Sequence, residues 1–98
     1  EALAARTPRF SAWKREVPLH SSRGQVMQAL LRETGVRPDG GEGIRVRRGN
    51  GWVYLTPMAR RAAVRVLAEG PDLETAAELC DFFAGETARL DRDLSVGR

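Results

Sequence analysis

The segment 43–55 constrains the fold more than any other part of the sequence. Apolar residues alternate with arginines from Ile44 to Arg47, which predicts a half-buried strand with the arginines facing outward. The residues at 48–51, Arg-Gly-Asn-Gly, tolerate the positive φ angles that a tight hairpin turn requires. Trp52–Leu55 is then the returning strand. The sequence therefore predicts an antiparallel hairpin near the centre of the chain.

Two more strands are predicted, one well before this hairpin and one directly after it. Trp13–His20 alternates in the manner of a strand, and Pro18 indicates either an edge strand or one that ends in a bulge, because proline cannot donate to a ladder of hydrogen bonds. Pro57–Arg61 is a connection, and Ala62–Ala68 forms the third strand of a meander. The chain therefore carries four predicted strands.

Two amphipathic helices are predicted between and after these strands. Ser22 followed by Gln25 fits a capping box at the start of the first helix, and Gly35 is a natural stop. Asp72 is a suitable N-cap for the second helix, which we expect to run to about Arg92. Apolar residues recur at helical spacing at Val26, Met27, Leu30 and Leu31, and again at Leu73, Ala76, Ala77, Cys80, Phe83 and Ala84.

The order strand, helix, three-stranded meander, helix predicts an α+β two-layer domain. Its sheet would be antiparallel and four-stranded, with both helices packed on one face. The 98 residues amount to one domain. We expect 1–12 to be a lead-in or linker from a larger chain, 13–92 to be the domain and 93–98 to be a frayed tail.

The composition excludes several classes of protein. No stretch approaches a membrane span, and a single thiol, Cys80, cannot form an internal disulfide. We expect Cys80 to be a plain buried thiol in a reducing, cytoplasmic compartment. The net charge of +3 permits contact with phosphate or nucleic acid without demanding it.

Arrangements typical of enzymes are missing from the sequence. His20 is the only histidine, and the serines beside it form no recognisable triad order. We expect a strand-end histidine beside a helix cap. Acidic residues of the last helix lie three or four positions from Arg89 or Arg92. This spacing favours ion pairs on a solvated helix face over a metal site. We therefore expect no catalytic residue and no metal ligand in this domain.

Two groups of arginines are candidates for binding. Arg60 and Arg61 lie in a connection between strands with Arg65 just beyond, where adjacent guanidinium groups can hold a phosphate by paired hydrogen bonds. The second group is Arg45, Arg47 and Arg48 on the hairpin. It is most simply the solvated outer face of a sheet.

A nucleic-acid surface is the least favoured alternative for the hairpin arginines. It would require Trp52 and Tyr54 to lie on the same exposed face as Arg45 and Arg47, so that bases could stack beside the cations. Trp52 and Tyr54 share a face by strand alternation. The sequence does not determine which face that is.

Two segments resemble a known family. Gly51–Gly70 is similar, without a gap, to the segment G-W-V-L-V-R-P-S-G-T-E-P-x-L-R-V-Y-V-E-A of phosphoglucomutases and phosphomannomutases. The residues in register are Gly51, Trp52, Val53, Pro57, Arg65, Val66 and Glu69. Ser22–Leu30 resembles the K-G-x-V-M-R-x-L helix of bacterial fusions that join a sugar-1-phosphate nucleotidyltransferase to a mutase-like region. The chain thus resembles the C-terminal domain of the alpha-D-phosphohexomutase family.

The resemblance implies a TATA-box-binding-protein-like fold that closes over a hexose phosphate held mainly by other domains. The family's phosphate loop R-P-S-G-T is here Thr56-Pro57-Met58-Ala59-Arg60, so its arginine, serine, glycine and threonine are all replaced. Phosphate binding would then be weak or lost, and would rest on Thr56, Arg60, Arg61 and Arg65.

The family's phosphoserine loop and metal-binding motif do not occur in these residues. The domain by itself would then have no catalysis and no cofactor, while a parent phosphohexomutase or nucleotidyltransferase would use magnesium. The alternative is a structural or interaction module that packs on sibling domains and has lost its ligand. No membrane partner is expected.

Overall fold

The computed structural model describes residues 10–36 and 43–96, which form four strands and two helices. In chain order these are β1 (Ser11–Pro18), α1 (Arg23–Thr34), β2 (Ile44–Arg48), β3 (Gly51–Pro57), β4 (Ala63–Gly70) and α2 (Leu73–Val96). The strands form one sheet in the order β1-β4-β3-β2, and all neighbouring strands are antiparallel. The predicted α+β fold is confirmed.

Both helices pack on one face of the sheet, and the apolar core lies between the two layers. Inward residues of β3 and β4 are almost completely buried, and so is Cys80 of α2. The strand residues that form the sheet side of this core are Val17, Ile44, Val46, Val53, Leu55, Val64, Val66 and Ala68. Strand alternation then places the intervening residues on the opposite face, where neither described helix packs.

Local sequence signals account for the ends of these elements. The Ser22 side chain accepts a hydrogen bond of 3.1 Å from the N–H of Gln25, and α1 ends at Gly35 with a left-handed φ of 70°. The Asp72 carboxylate accepts a 2.7 Å bond from an N–H in the first turn of α2. In the β2–β3 hairpin the positive φ, 60°, falls on Gly49, as in a type II′ turn.

Several predicted boundaries shift in the structure. β1 begins at Ser11, and α2 continues to Val96, so residues 93–96 are helical and not a frayed tail. Gly85 does not interrupt α2. β1 lies at an edge of the sheet, as Pro18 predicted. The lead-in before Phe10 and the loop from Pro38 to Glu42 lie outside the described residues.

One predicted core residue is exposed. Leu73 lies at the first position of α2 and is 52% exposed. The buried face of this helix begins only at Ala76. The other predicted core positions of the helices are buried or partly buried, and Cys80 is buried as expected. Burial raises the pKa of the Cys80 thiol, which makes it a poor nucleophile.

Candidate functional site

The loop of residues 58–62 connects β3 to β4 and carries the predicted phosphate-binding arginines. Its closure is fixed by backbone hydrogen bonds, from the Met58 N–H to the Ala63 carbonyl at 2.9 Å and from the Ala63 N–H to the Arg61 carbonyl at 2.9 Å. Leu19, just beyond β1, donates its N–H to the Ala62 carbonyl at 2.8 Å. Hydrogen bonds therefore hold the loop where it leaves β3, where it enters β4, and against the residue that follows β1.

Arg23 braces this loop from the first turn of α1. Its guanidinium donates to the carbonyl oxygen of Met58 and, at 3.4 Å, to that of Arg61. Sequence reasoning missed this role. The available signal was that Arg23 lies directly after the N-cap Ser22, where a positive charge opposes the helix dipole and needs another partner to offset that cost.

The four predicted phosphate-binding residues fall into two pairs. Thr56 and Arg65 are cross-strand partners on β3 and β4, and both side chains are exposed. Arg60 and Arg61 lie next to them in the exposed loop. The fold thus gathers one hydroxyl and three guanidinium groups at the same end of the sheet.

A carboxylate competes for this positive charge. Arg61 forms an ion pair of 2.6 Å with Glu16 of β1, and Glu16 is also the cross-strand partner of Arg65. The Arg61–Glu16 pair is exposed, so its net contribution to stability is small. The ion pair matters more for phosphate binding than for stability, because Arg61, one of the residues predicted to bind phosphate, already has an anionic partner. Arg60 has no hydrogen-bond or ion-pair partner within residues 10–36 and 43–96.

An open cavity of about 540 Å³ lies between this loop and α1. Its wall is mostly apolar and includes Met27 and Leu31 from the helix and Met58 from the loop. Met58 therefore packs toward the helices, away from the Thr56–Arg65 pair on the opposite face. The Met58 thioether extends the apolar layer and offers no hydroxyl to an anion.

The side of the sheet that no helix of residues 10–36 and 43–96 covers, which we call the open face, combines aromatic and basic side chains. Strand pairing places its residues in three rows, which run from β1 to β2: Lys14, Leu67, Tyr54 and Arg45; Ala12, Glu69, Trp52 and Arg47; and Glu16, Arg65 and Thr56. The guanidinium carbons of Arg45 and Arg47 lie 4.8 Å and 5.4 Å from the centre of the Trp52 ring. Trp52 and Tyr54 are both partly exposed. This resolves the question left by the sequence: the aromatics share the arginines' face.

Asp91 of α2 forms a buried polar contact with the connection between β1 and α1. Its carboxylate accepts hydrogen bonds from the N–H of His20, at 3.0 Å to each oxygen, and from the N–H of Ser21 at 2.7 Å. The Ser21 hydroxyl donates to the Asp91 carbonyl at 3.2 Å. His20 itself is exposed, so this cluster joins the β1–α1 connection to α2 and has the form of a structural contact.

The acidic residues of α2 engage arginines. Arg89 contacts Glu86 at 2.7 Å, Glu33 of α1 at 2.9 Å and Asp93 at 3.4 Å, and these carboxylates raise the pKa of the Arg89 guanidinium. Within the described part of the chain, no group of three or more His, Cys, Asp or Glu side chains could hold a metal ion. No helix there is both long and apolar enough to cross a membrane.

Comparison of the sequence with protein-family models and with curated proteins returns no match.

Proposed function

We propose that this chain is a sugar-phosphate-binding domain of the phosphohexomutase C-terminal type, with a degenerate phosphate loop and no catalysis of its own. Its role would be to place the β3–β4 loop over the phosphate of a hexose phosphate that sibling domains hold. Those domains, in a parent mutase or nucleotidyltransferase, would supply the chemistry and the magnesium. Within this chain, the residues that would contact phosphate are Thr56, Arg60, Arg61 and Arg65.

The observation that carries this proposal is the juxtaposition of the braced loop with the Thr56–Arg65 pair. Arg23 and the backbone bonds hold the loop in one shape, so little conformational entropy is lost when an anion binds. Arg60 and Arg65 then offer planar donors on one end of the sheet, where a phosphate accepts paired hydrogen bonds. The order of strands and helices is also the order that the sequence resemblance implies.

Affinity should be modest in the isolated domain. Arg61 is paired with Glu16, and the glycine and serine of the family's loop are replaced by Ala59 and Met58. An exposed site with few donors, and without the donors of sibling domains, would bind in the millimolar range.

The proposal is tested by amide NMR titration of the chain with mannose 1-phosphate and glucose 1-phosphate at low salt. We expect saturable shifts confined to residues 56–65, competition by inorganic phosphate and no response to mannose. Arg60→Ala should abolish the shifts, while Arg92→Ala, a matched change at an exposed arginine of α2, should leave them intact. No shifts in the wild-type chain would favour the structural module that packs on sibling domains.

A further inference from the structure

The open face differs from the solvated outer face of an ordinary two-layer domain. Such a face usually carries polar residues on both central strands. Here the central strands β3 and β4 place Trp52, Tyr54 and Leu67 side by side, with Tyr54 and Leu67 directly opposite each other. An aromatic patch of this kind on an uncovered face indicates a binding surface.

Basic side chains border this patch on both sides. Arg45 and Arg47 lie along β2, opposite Tyr54 and Trp52, and Lys14 lies on β1 opposite Leu67. Two acidic residues lie on the same face, Glu69 on the β4 side of Trp52 and Glu16 on β1 opposite Arg65. The positive charge is therefore greatest along the β2 edge.

Arg45 and Arg47 already approach the ring of Trp52 within cation–π distance. A guanidinium held in this way keeps its outer plane and its N–H donors available. Bases stack on such planes as well as on aromatic rings, and the same donors bind phosphate oxygens. The pairing of flat rings with cations matches a ligand that alternates flat rings with phosphates.

We propose that the open face binds single-stranded nucleic acid. Bases stack on Tyr54 and on the guanidinium planes that lie over Trp52, and the phosphates accept hydrogen bonds from Arg45 and Arg47 along β2. An acidic polypeptide would use the same arginines, but it has no flat groups to stack on the partly exposed rings. A duplex is a poorer fit, because its bases are already stacked on one another.

The test is fluorescence anisotropy of the 98-residue chain with a labelled oligothymidylate of about fifteen nucleotides at low salt. We expect saturable binding whose log-log salt dependence has a slope of about −1.5 to −3, equivalent to two to four phosphate contacts. The double variant Arg45→Glu/Arg47→Glu should weaken binding at least tenfold. Tyr54→Ala should weaken it by about tenfold, as loss of one stacked base would.

The matched control is Arg32→Glu/Arg92→Glu, which makes the same change in net charge on the helical side and should weaken binding less than about threefold. Circular dichroism would confirm that each variant is folded. Equal losses in both double variants, insensitivity to Tyr54→Ala, or the absence of binding would each overturn the proposal. Equally effective competition by poly-glutamate would assign the face to an acidic polypeptide and overturn it as well.

Discussion

Asp91 provides the most direct test of how this fold is held together. We predict that Asp91→Ala strongly destabilises the domain, because the N–H groups of His20 and Ser21 would lose their acceptor. The Ser21 N–H is buried and that of His20 partly buried. Each buried donor left unsatisfied costs about 1–3 kcal/mol, and bonds to a charged acceptor lie toward the upper end.

Two such donors give an expected loss of about 3 kcal/mol in the free energy of unfolding, after allowing for the cost of burying the carboxylate. For a domain of this size, the corresponding fall in Tm is at least about 12 °C. Asp91→Asn keeps one acceptor oxygen and should lose roughly half as much. Thermal and urea unfolding followed by circular dichroism would measure both variants.

Asp93→Ala is the matched control, since Asp93 lies two residues further along α2 but is exposed, and its ion pair among the described residues is the 3.4 Å contact with Arg89. Its Tm should change little. If Asp91→Ala and Asp93→Ala were equally stable, the Asp91 carboxylate would not be a structural acceptor and the reasoning would fail.

The Asp91 contact also predicts a pH dependence. Burial by itself raises the pKa of Asp91, but the N–H groups of His20 and Ser21 together outweigh it, so the pKa lies below its ordinary value of 3.8. The folded state then binds fewer protons than the unfolded state, and unfolding free energy falls as the pH drops. The stability difference between wild type and Asp91→Asn should be constant from neutral pH to about pH 5 and shrink below pH 3.8. A difference that grew on acidification would contradict this sign.

Three further predictions concern single sites. Gly51→Ala should destabilise the domain by about 1–3 kcal/mol in urea unfolding, because the new Cβ would lie 2.5 Å from the carbonyl oxygen of Glu69; an unchanged midpoint would refute the close approach. Gly85→Ala should stabilise the domain by about 0.5–1 kcal/mol in the same urea unfolding measurement. The new Cβ would have no packing neighbour within 4 Å beyond its own turn of helix, and alanine favours a helix interior. Glu16→Gln should release Arg61 and tighten binding of mannose 1-phosphate by about two- to fivefold in the NMR titration; weaker binding would show that the ion pair positions Arg61 for the ligand.

The sequence by itself determined the local structure of this protein. The hairpin at Gly49, the N-caps Ser22 and Asp72 and the stop at Gly35 each depend on residues a few positions apart, so their physics is present in the sequence. Pro18 also predicted the edge position of β1, because the missing N–H is a property of that residue alone. The order and periodicity of these elements were enough to predict the α+β fold.

Tertiary structure decided what the candidate sites contain. The bracing of the loop by Arg23, the capture of Arg61 by Glu16 and the burial of Asp91 join residues far apart in the chain. Such contacts depend on which strands pair and on how the helices pack on the sheet, and no local sequence pattern encodes them. Strand alternation placed Trp52 and Tyr54 on one face together, but only the position of the helices determined that this face is the open one.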